Sequence, residues 1–180
     1  MWQSGAGLGT VQESVSGFSI PRVAIRATLL QTTGGKRDGE IYVMERVPQH
    51  AGHETPLDML NRPEGFFPFR PEGDGGEGGG GGGGGGGVLL VAKARTVTLT
   101  VPRTEPEDSA RLSAAKQASL EVTLADGSKL SGWATIELPQ HHARLLDYLN
   151  ASPEPFFAIA TADGMHVVNR AHVLYARPED

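Results

Sequence analysis

Residues 120–136, with the sequence LEVTLADGSKLSGWATI, decide the fold class of this chain. Apolar and other residues alternate from Leu120 to Leu124, which is typical of a half-buried strand. The dipeptide Asp126-Gly127 follows, and such a pair favours a tight turn between two antiparallel strands. The residues after the turn continue as a second strand. This segment therefore predicts a β-hairpin in a β-rich protein.

The first half of the chain shows the same features in the same order. Residues 23–29 alternate as in a strand, Gly34-Gly35 marks a turn, and residues 41–43 form a second strand. Four blocks also match between the halves: 47–50 with 138–141, 57–61 with 146–150, 66–67 with 156–157, and 91–95 with 168–172. This order indicates an internal duplication, with copies at 22–103 and 119–180.

Each copy is predicted to contain strand, strand, short helix, strand and strand. The helix is the Leu-Asp-x-Leu-Asn block, and Asn150 followed by Pro153 is a plausible stop for its second occurrence. The predicted fold class is mainly β with short helices (α+β), made of two duplicated ββαββ units. Each unit is expected to be a small bent sheet or partial barrel, and the two are expected to pack with pseudo-twofold symmetry.

Three further segments complete the predicted organisation. Residues 1–21 are rich in small polar residues and are interpreted as a disordered tail. Residues 104–118 form a connector that is predicted to be partly helical, because Thr104 can cap a helix whose first turn is acidic. The glycine-rich stretch 73–87 aligns with the tight turn at Asp163-Gly164, so it is predicted to be an enlarged hairpin loop.

Composition narrows the classes of function. The chain has no cysteine, so disulfides, thiolate zinc sites and cysteine nucleophiles are excluded. Its net charge of −5 argues against a strong nonspecific nucleic-acid partner, because neutralising phosphates supplies most of that affinity. No apolar run reaches the length of a membrane span, and the first residues do not resemble a secretory signal. A cytoplasmic location without a membrane partner is therefore expected.

The second copy resembles an Sm-like (LSm/Hfq) barrel. The likeness lies in residues 122–132, which look like the first Sm motif, and in residues 168–178, which look like the closing strands of the second. The resemblance implies an Sm-like small-barrel fold and RNA contacts, of which only Arg170 carries over. The RNA-contacting Asn loop of that family is replaced here by the helix around 145–149. The whole chain also looks like an uncharacterised bacterial family of unknown function.

The candidate site residues fall into two groups. Lys93, Arg95 and Arg170 could line one edge and contact nucleic acid or a partner, with a solvated face as the alternative. The candidate core residues are apolar and mostly aromatic: Trp133, Phe66, Phe67, Phe156, Phe157, Leu146 and Leu149. Adjacent residues of a strand face opposite sides, so one Phe of each pair is expected in the core and the other against the helix or a partner.

No pattern in the sequence predicts catalysis, a cofactor or a metal. The histidines lack metal-ligand spacing, and Asp58 and Asp147 are interpreted as helix-surface residues rather than as a paired-carboxylate site. The leading hypothesis is a non-enzymatic cytosolic scaffold or adaptor that acts through protein contacts, self-association included. One alternative is a degenerate Sm-like RNA-binding protein. Another is a small-ligand sensor with its pocket between the repeats.

Overall fold

The structure, a computed structural model, describes residues 21–47, 52–73, 87–102, 116–136 and 144–179. The predicted tail, the core of the glycine-rich stretch, most of the connector, and His50, His141 and His142 lie outside these residues. The described strands are β1 (Arg22–Gln31), β2 (Lys36–Met44), β3 (Phe66–Pro71), β4 (Leu89–Ala92), β5 (Thr96–Pro102), β6 (Lys116–Leu124), β7 (Lys129–Ile136), β8 (Phe156–Ala160), β9 (Gly164–Asn169) and β10 (Val173–Pro178). The described helices are α1 (Pro56–Asn61) and α2 (Leu145–Ala151).

All ten strands belong to one sheet, in the order β10-β6-β7-β8-β9-β5-β1-β2-β3-β4, and every pairing is antiparallel. The sheet thus contains two five-strand segments with the same internal order, 10-6-7-8-9 and 5-1-2-3-4. They meet where β9 pairs with β5. The two outermost strands are β10 and β4.

Matching registers define which residues occupy equivalent positions in the two segments. The first hairpins place Leu30 opposite Lys36 and Thr123 opposite Lys129. The pairing of β3 with β4 begins at Phe66 opposite Ala92, and the equivalent pairing of β8 with β9 begins at Phe156 opposite Asn169. The last strands follow the same rule, since Thr100 pairs with Thr28 and Arg177 pairs with Glu121.

The predicted fold class is wrong. The chain does not form two separate ββαββ units or a small Sm-like barrel, because the strands build a single ten-stranded antiparallel sheet. Each half also has a fifth strand, β5 or β10, which returns to pair with the first strand of that half. The backbone ladder between β5 and β9 then continues the sheet across both halves. The sequence pattern places strands but does not show which strand edges are shared.

The predicted connector also needs a correction at its end. Residues 116–118 belong to β6, which pairs with β7 from Lys116 opposite Ile136 onward. The second half therefore begins its first strand three residues before the predicted boundary at residue 119.

Two apolar clusters form the core, and each takes residues from both halves. The first cluster is built mainly on the first half, around Ile41, Leu60 and Phe69, but it includes Phe156 and Val167 from the second. The second cluster is built mainly on β6 to β9, but it includes Leu30 and Val97 from the first half. Burial of these exchanged side chains stabilises the β5–β9 junction, at about 25 cal/mol per Å² of apolar surface.

The short helix α1 is defined by its cap. The Thr55 hydroxyl accepts a hydrogen bond from the backbone N–H of Asp58, and the Asp58 carboxylate accepts one from the backbone N–H of Thr55. Pro56 stands at the first helical position, where its missing N–H costs nothing. Asp58 is therefore a capping residue. Neither described helix is long and apolar enough to cross a membrane.

Candidate functional site: the open strand edges

The basic residues predicted to contact a partner lie in the two turns that precede the last strands. Lys93 is buried, and its ammonium donates to the backbone carbonyls of Met59 and Arg62 at the end of α1, at 2.8 and 2.9 Å. Burial lowers the pKa of Lys93, an effect partly opposed by the Glu64 and Glu54 carboxylates. These two hydrogen bonds stabilise the fold, so the Lys93 ammonium has a structural role.

Arg170 occupies the position equivalent to Lys93 in the second half. Its guanidinium donates to the carbonyls of Leu149 and Glu154, both at 2.9 Å, and lies over the rings of Tyr148 and Phe157. It thus fastens the end of α2 to the sheet. Arg95 is exposed. The three predicted basic residues therefore do not form one edge: two hold helix ends, and only Arg95 projects freely enough to be called a surface residue.

The structure divides the predicted core residues. Phe67, Phe156 and Phe157 are buried, and Leu149 packs partly buried against the second cluster. Trp133, Phe66 and Leu146 are exposed, so their assignment to the core is corrected. The pairs Phe66-Phe67 and Phe156-Phe157 differ, because only the second pair is fully buried.

The β5–β9 junction, where the two halves meet, is held by more than its strand pairing. Asn61 at the end of α1 reaches across it, because its side-chain oxygen accepts from the Phe156 N–H at 2.9 Å and its amide donates to the Phe156 carbonyl at 3.1 Å. The Asn169 amide donates to the carbonyls of Lys93 and Thr96 at 3.2 and 3.0 Å. The junction thus combines a strand ladder, a helix-to-strand contact and a buried amide.

Among the described residues, no further strand pairs with the outer edges, which hold the equivalent positions. Of the eight large apolar side chains exposed among the described residues, six lie on or beside the edge strands: Phe66, Val88, Leu89, Leu90, Leu174 and Tyr175. Three of these six residues have an equivalent residue in the other half that lies at the β5–β9 junction and is buried there. The exposed fractions are 61% for Phe66 against 1% for Phe156, 73% for Leu90 against 0% for Val167, and 61% for Leu174 against 1% for Val97.

A groove of about 450 Å³ lies between the halves, on the side of the junction where the helices sit. Its lining includes Leu57 and Asn61 from α1, Trp133 from β7 and Tyr148 from α2. The groove is open and mixes apolar with polar groups.

Titratable groups near the junction do not converge on a centre. The ring nitrogens of His166 lie 2.9 Å from the Thr100 hydroxyl and 3.2 Å from the Thr161 hydroxyl. Glu54 is buried, accepts from the backbone N–H of Met44 and forms an ion pair with Arg62. In the part of the chain that the structure describes, no three His, Asp or Glu side chains are grouped as a metal would require.

Comparison with known proteins finds no protein family, no curated protein and no solved structure that matches this chain.

Sequence reasoning missed the outer edges as sites. A signal for one of them is present: Val88-Leu89-Leu90 is a run of three apolar residues directly after the glycine-rich stretch. Such a run is buried where both faces of its strand are covered, whereas on an edge strand with uncovered faces part of it stays exposed. Which of these applies depends on the strand order, and strand order is a tertiary property.

Proposed function

We propose that this chain is a non-enzymatic, cytosolic scaffold or adaptor that acts through protein-protein contacts at the two open edges of its sheet. One observation supports the proposal: of the large apolar side chains exposed among the described residues, most lie on or beside strands β3, β4 and β10. An edge strand offers unpaired N–H and C=O groups, and proteins usually protect such edges with charge, proline or bulges. Here the β4 edge offers Leu89 and Leu90 instead.

The physical basis of such binding is strand addition. A partner strand that pairs with an edge satisfies its backbone groups, while pockets for alternate side chains give specificity. The apolar residues on β4 and β10 supply those contacts at both ends of the sheet. One molecule can then hold a partner at each end, which is what a scaffold requires.

The experiment compares partner capture by the full chain and by edge variants. A Leu90→Lys/Tyr175→Lys variant places a charge on both edges, and Trp133→Lys places a charge on an exposed apolar position away from them. Partners captured from the native host are identified by cross-linking and mass spectrometry, and binding is then repeated with each purified partner. We expect the edge variant to lose binding and the Trp133→Lys variant to keep it. Equal binding by all three proteins would contradict the proposal.

The same purified protein tests the RNA-binding alternative. A raised ratio of absorbance at 260 and 280 nm, together with RNA binding that weakens steeply with salt, would favour it. Turnover of a substrate from a hydrolase panel would contradict a non-enzymatic role.

A small-ligand sensor is a second candidate, favoured by the groove between the halves. Trp133 lines this groove beside Asn61 and Tyr148, so an occupant would change its fluorescence. A saturable fluorescence change on titration with a metabolite panel would support this candidate. Trp133→Phe should remove the fluorescence change without removing the binding, whereas Asn61→Gln should weaken the binding itself.

A further inference from the structure

We propose that a second copy of this chain docks head-to-tail, with its β4 edge paired antiparallel to the β10 edge of the first copy. This inference rests on the proposed function, since it names the partner that the open edges bind. The new contact would repeat, between molecules, the β5–β9 junction that already joins the two halves within one molecule.

The strand order shows which strands pair across the junction and which remain outermost. Inside the chain, the fourth strand of one five-strand segment pairs with the fifth strand of the other. The two edges left over are the fourth strand of the first segment, β4, and the fifth strand of the second, β10. They are therefore the two kinds of edge that already pair at the junction.

The observed junction also sets the register of the proposed contact. Within the chain Thr98 pairs with Val168 and Thr100 pairs with His166. Transferring these pairs to equivalent positions sets Tyr175 opposite Val91 and Arg177 opposite Leu89 of the second copy. Ala176 then lies opposite Leu90. A shift of one residue would turn each strand's apolar set to the wrong face, so the register is a specific prediction.

Exposed apolar side chains support the same contact. Val97 enters the second cluster and Phe156 and Val167 enter the first only because the two halves meet. Their counterparts Leu174, Phe66 and Leu90 are apolar and exposed. In the docked pair each would occupy the place that its counterpart fills at the junction. The apolar character of these edge residues is then explained by burial against a second copy.

An asparagine supports the contact as well, independently of the strands. Asn61 binds the backbone of Phe156 across the junction. The equivalent residue of α2 is Asn150, which is exposed, and the equivalent of Phe156 is Phe66, which is also exposed. The docked geometry brings Asn150 of one copy to the Phe66 backbone of the next. The two residue types that make this contact at the junction, asparagine and phenylalanine, are thus also present near the two outer edges, as Asn150 and Phe66.

The proposed contact is more apolar than the junction that it repeats. Asn169 and His166 bond across the β5–β9 junction, whereas Ala92 and Leu89 occupy their equivalent positions at the β4 edge. The outer contact therefore lacks those hydrogen bonds and depends on the concentration of the protein. Because the two edges differ, the contact is heterologous, and repeated docking closes into a ring or extends into a filament.

Cysteine cross-linking tests the register directly, because the natural sequence has no cysteine. Arg177→Cys and Leu89→Cys variants of the full chain are mixed and oxidised. Directly opposed residues of antiparallel strands have Cα atoms about 4.5–5.5 Å apart, within the range of about 4.4–6.8 Å that a disulfide spans. We expect a covalent heterodimer from this mixture. The control mixture pairs Arg177→Cys with Lys36→Cys, a position in the first hairpin, and should give only the background of random oxidation.

Light scattering and mass photometry of the cysteine-free protein test assembly itself, over protein concentrations from about 1 to 100 µM. We expect oligomers that grow with concentration. Leu90→Lys and Asn150→Ala should each weaken assembly by about tenfold or more while leaving the melting temperature of the monomer unchanged, as expected for interface anchors. Trp133→Lys should assemble like the natural chain.

Asn61→Ala is the matched counterpart of Asn150→Ala. It removes the contact within the chain, so it should lower the melting temperature of the monomer, which Asn150→Ala should not do. A protein that stays monomeric at the highest concentration, with cross-linking at background level, would overturn the inference. In that case the proposed function would still stand if Leu90→Lys/Tyr175→Lys abolished the binding of a different partner, so the two failures are distinguishable.

Discussion

At the scale of single residues, two glycines allow a neighbouring strand to pass very close to the backbone. Gly39 in β2 and Gly132 in β7 occupy equivalent positions, and both are buried. A Cβ at Gly39 would overlap the backbone carbonyl of Arg70, and a Cβ at Gly132 would overlap that of Ala160. The third strand of each segment therefore passes directly against the backbone of the second. Glycine is required at these positions for space rather than for a left-handed backbone.

This crowding gives the first prediction. Gly39→Ala and Gly132→Ala should each destabilise the chain by about 1–3 kcal/mol, because the added methyl group meets backbone that cannot yield as a side-chain end can. Gly35→Ala is the control, since a Cβ there meets nothing within 4 Å and its backbone is not left-handed. Urea denaturation of the three variants measures the effect. A loss at Gly35 equal to that at Gly132 would contradict the explanation.

At the scale of elements, the β5–β9 pair determines how the halves associate. His166 stands in β9 opposite Thr100 of β5 and is partly buried there. Burial lowers the pKa of His166; the Asp163 carboxylate raises it and the Lys36 ammonium lowers it further. The folded chain consequently favours the neutral imidazole at the junction.

The direction of this pKa shift sets the pH dependence of stability. In the unfolded chain His166 titrates near its ordinary value of 6.5, so below that pH the unfolded state binds more protons than the folded state. The free energy of unfolding should therefore fall as pH drops below about 6.5, and stay level above it. His166→Gln should flatten this slope. Denaturation curves at several pH values provide the measurement. An unchanged slope in His166→Gln would show that another group is responsible.

The short elements were partly predictable from sequence. The Asp126-Gly127 hairpin forms where the sequence placed it, because Gly127 has φ of 82° and the Asp126 carboxylate accepts from the Ser128 N–H at 3.0 Å. The helices were also placed correctly at 57–61 and 146–150 to within a residue or two. These features depend on neighbouring residues only. The roles of Lys93 and Arg170 were not predictable, since the carbonyls that they bind come from distant parts of the chain.

At the scale of the whole molecule, the two halves depend on each other for their cores. The first cluster needs Phe156 and Val167, and the second needs Leu30 and Val97. A half on its own would lose these side chains and would also expose one more strand edge. Single truncations of this kind in a core cost about 2–5 kcal/mol, which is a large share of the stability of a small domain.

This dependence gives a prediction for the divided chain. Fragments 1–110 and 111–180, produced separately, should each lack a cooperative thermal transition, whereas the intact chain should unfold in a single step. Circular dichroism and tryptophan fluorescence should report coincident midpoints for the intact chain. Independent folding of either fragment would show that each half closes its own interior. Recovery of structure on mixing the fragments would support the shared core.

The sequence by itself determined much of the local architecture of this protein: the first hairpin of each half, the short helices and the repeated order of blocks. These follow from periodicity, turn chemistry and caps, which act over a few residues. Only the tertiary structure decided that all ten described strands share one sheet, that β5 pairs with β9, and that β4 and β10 are the outermost of these strands. Backbone hydrogen bonds between strands are alike for every residue type except proline, so a sequence pattern predicts a strand without predicting its neighbours. The packing of side chains from distant parts of the chain decides which strands pair.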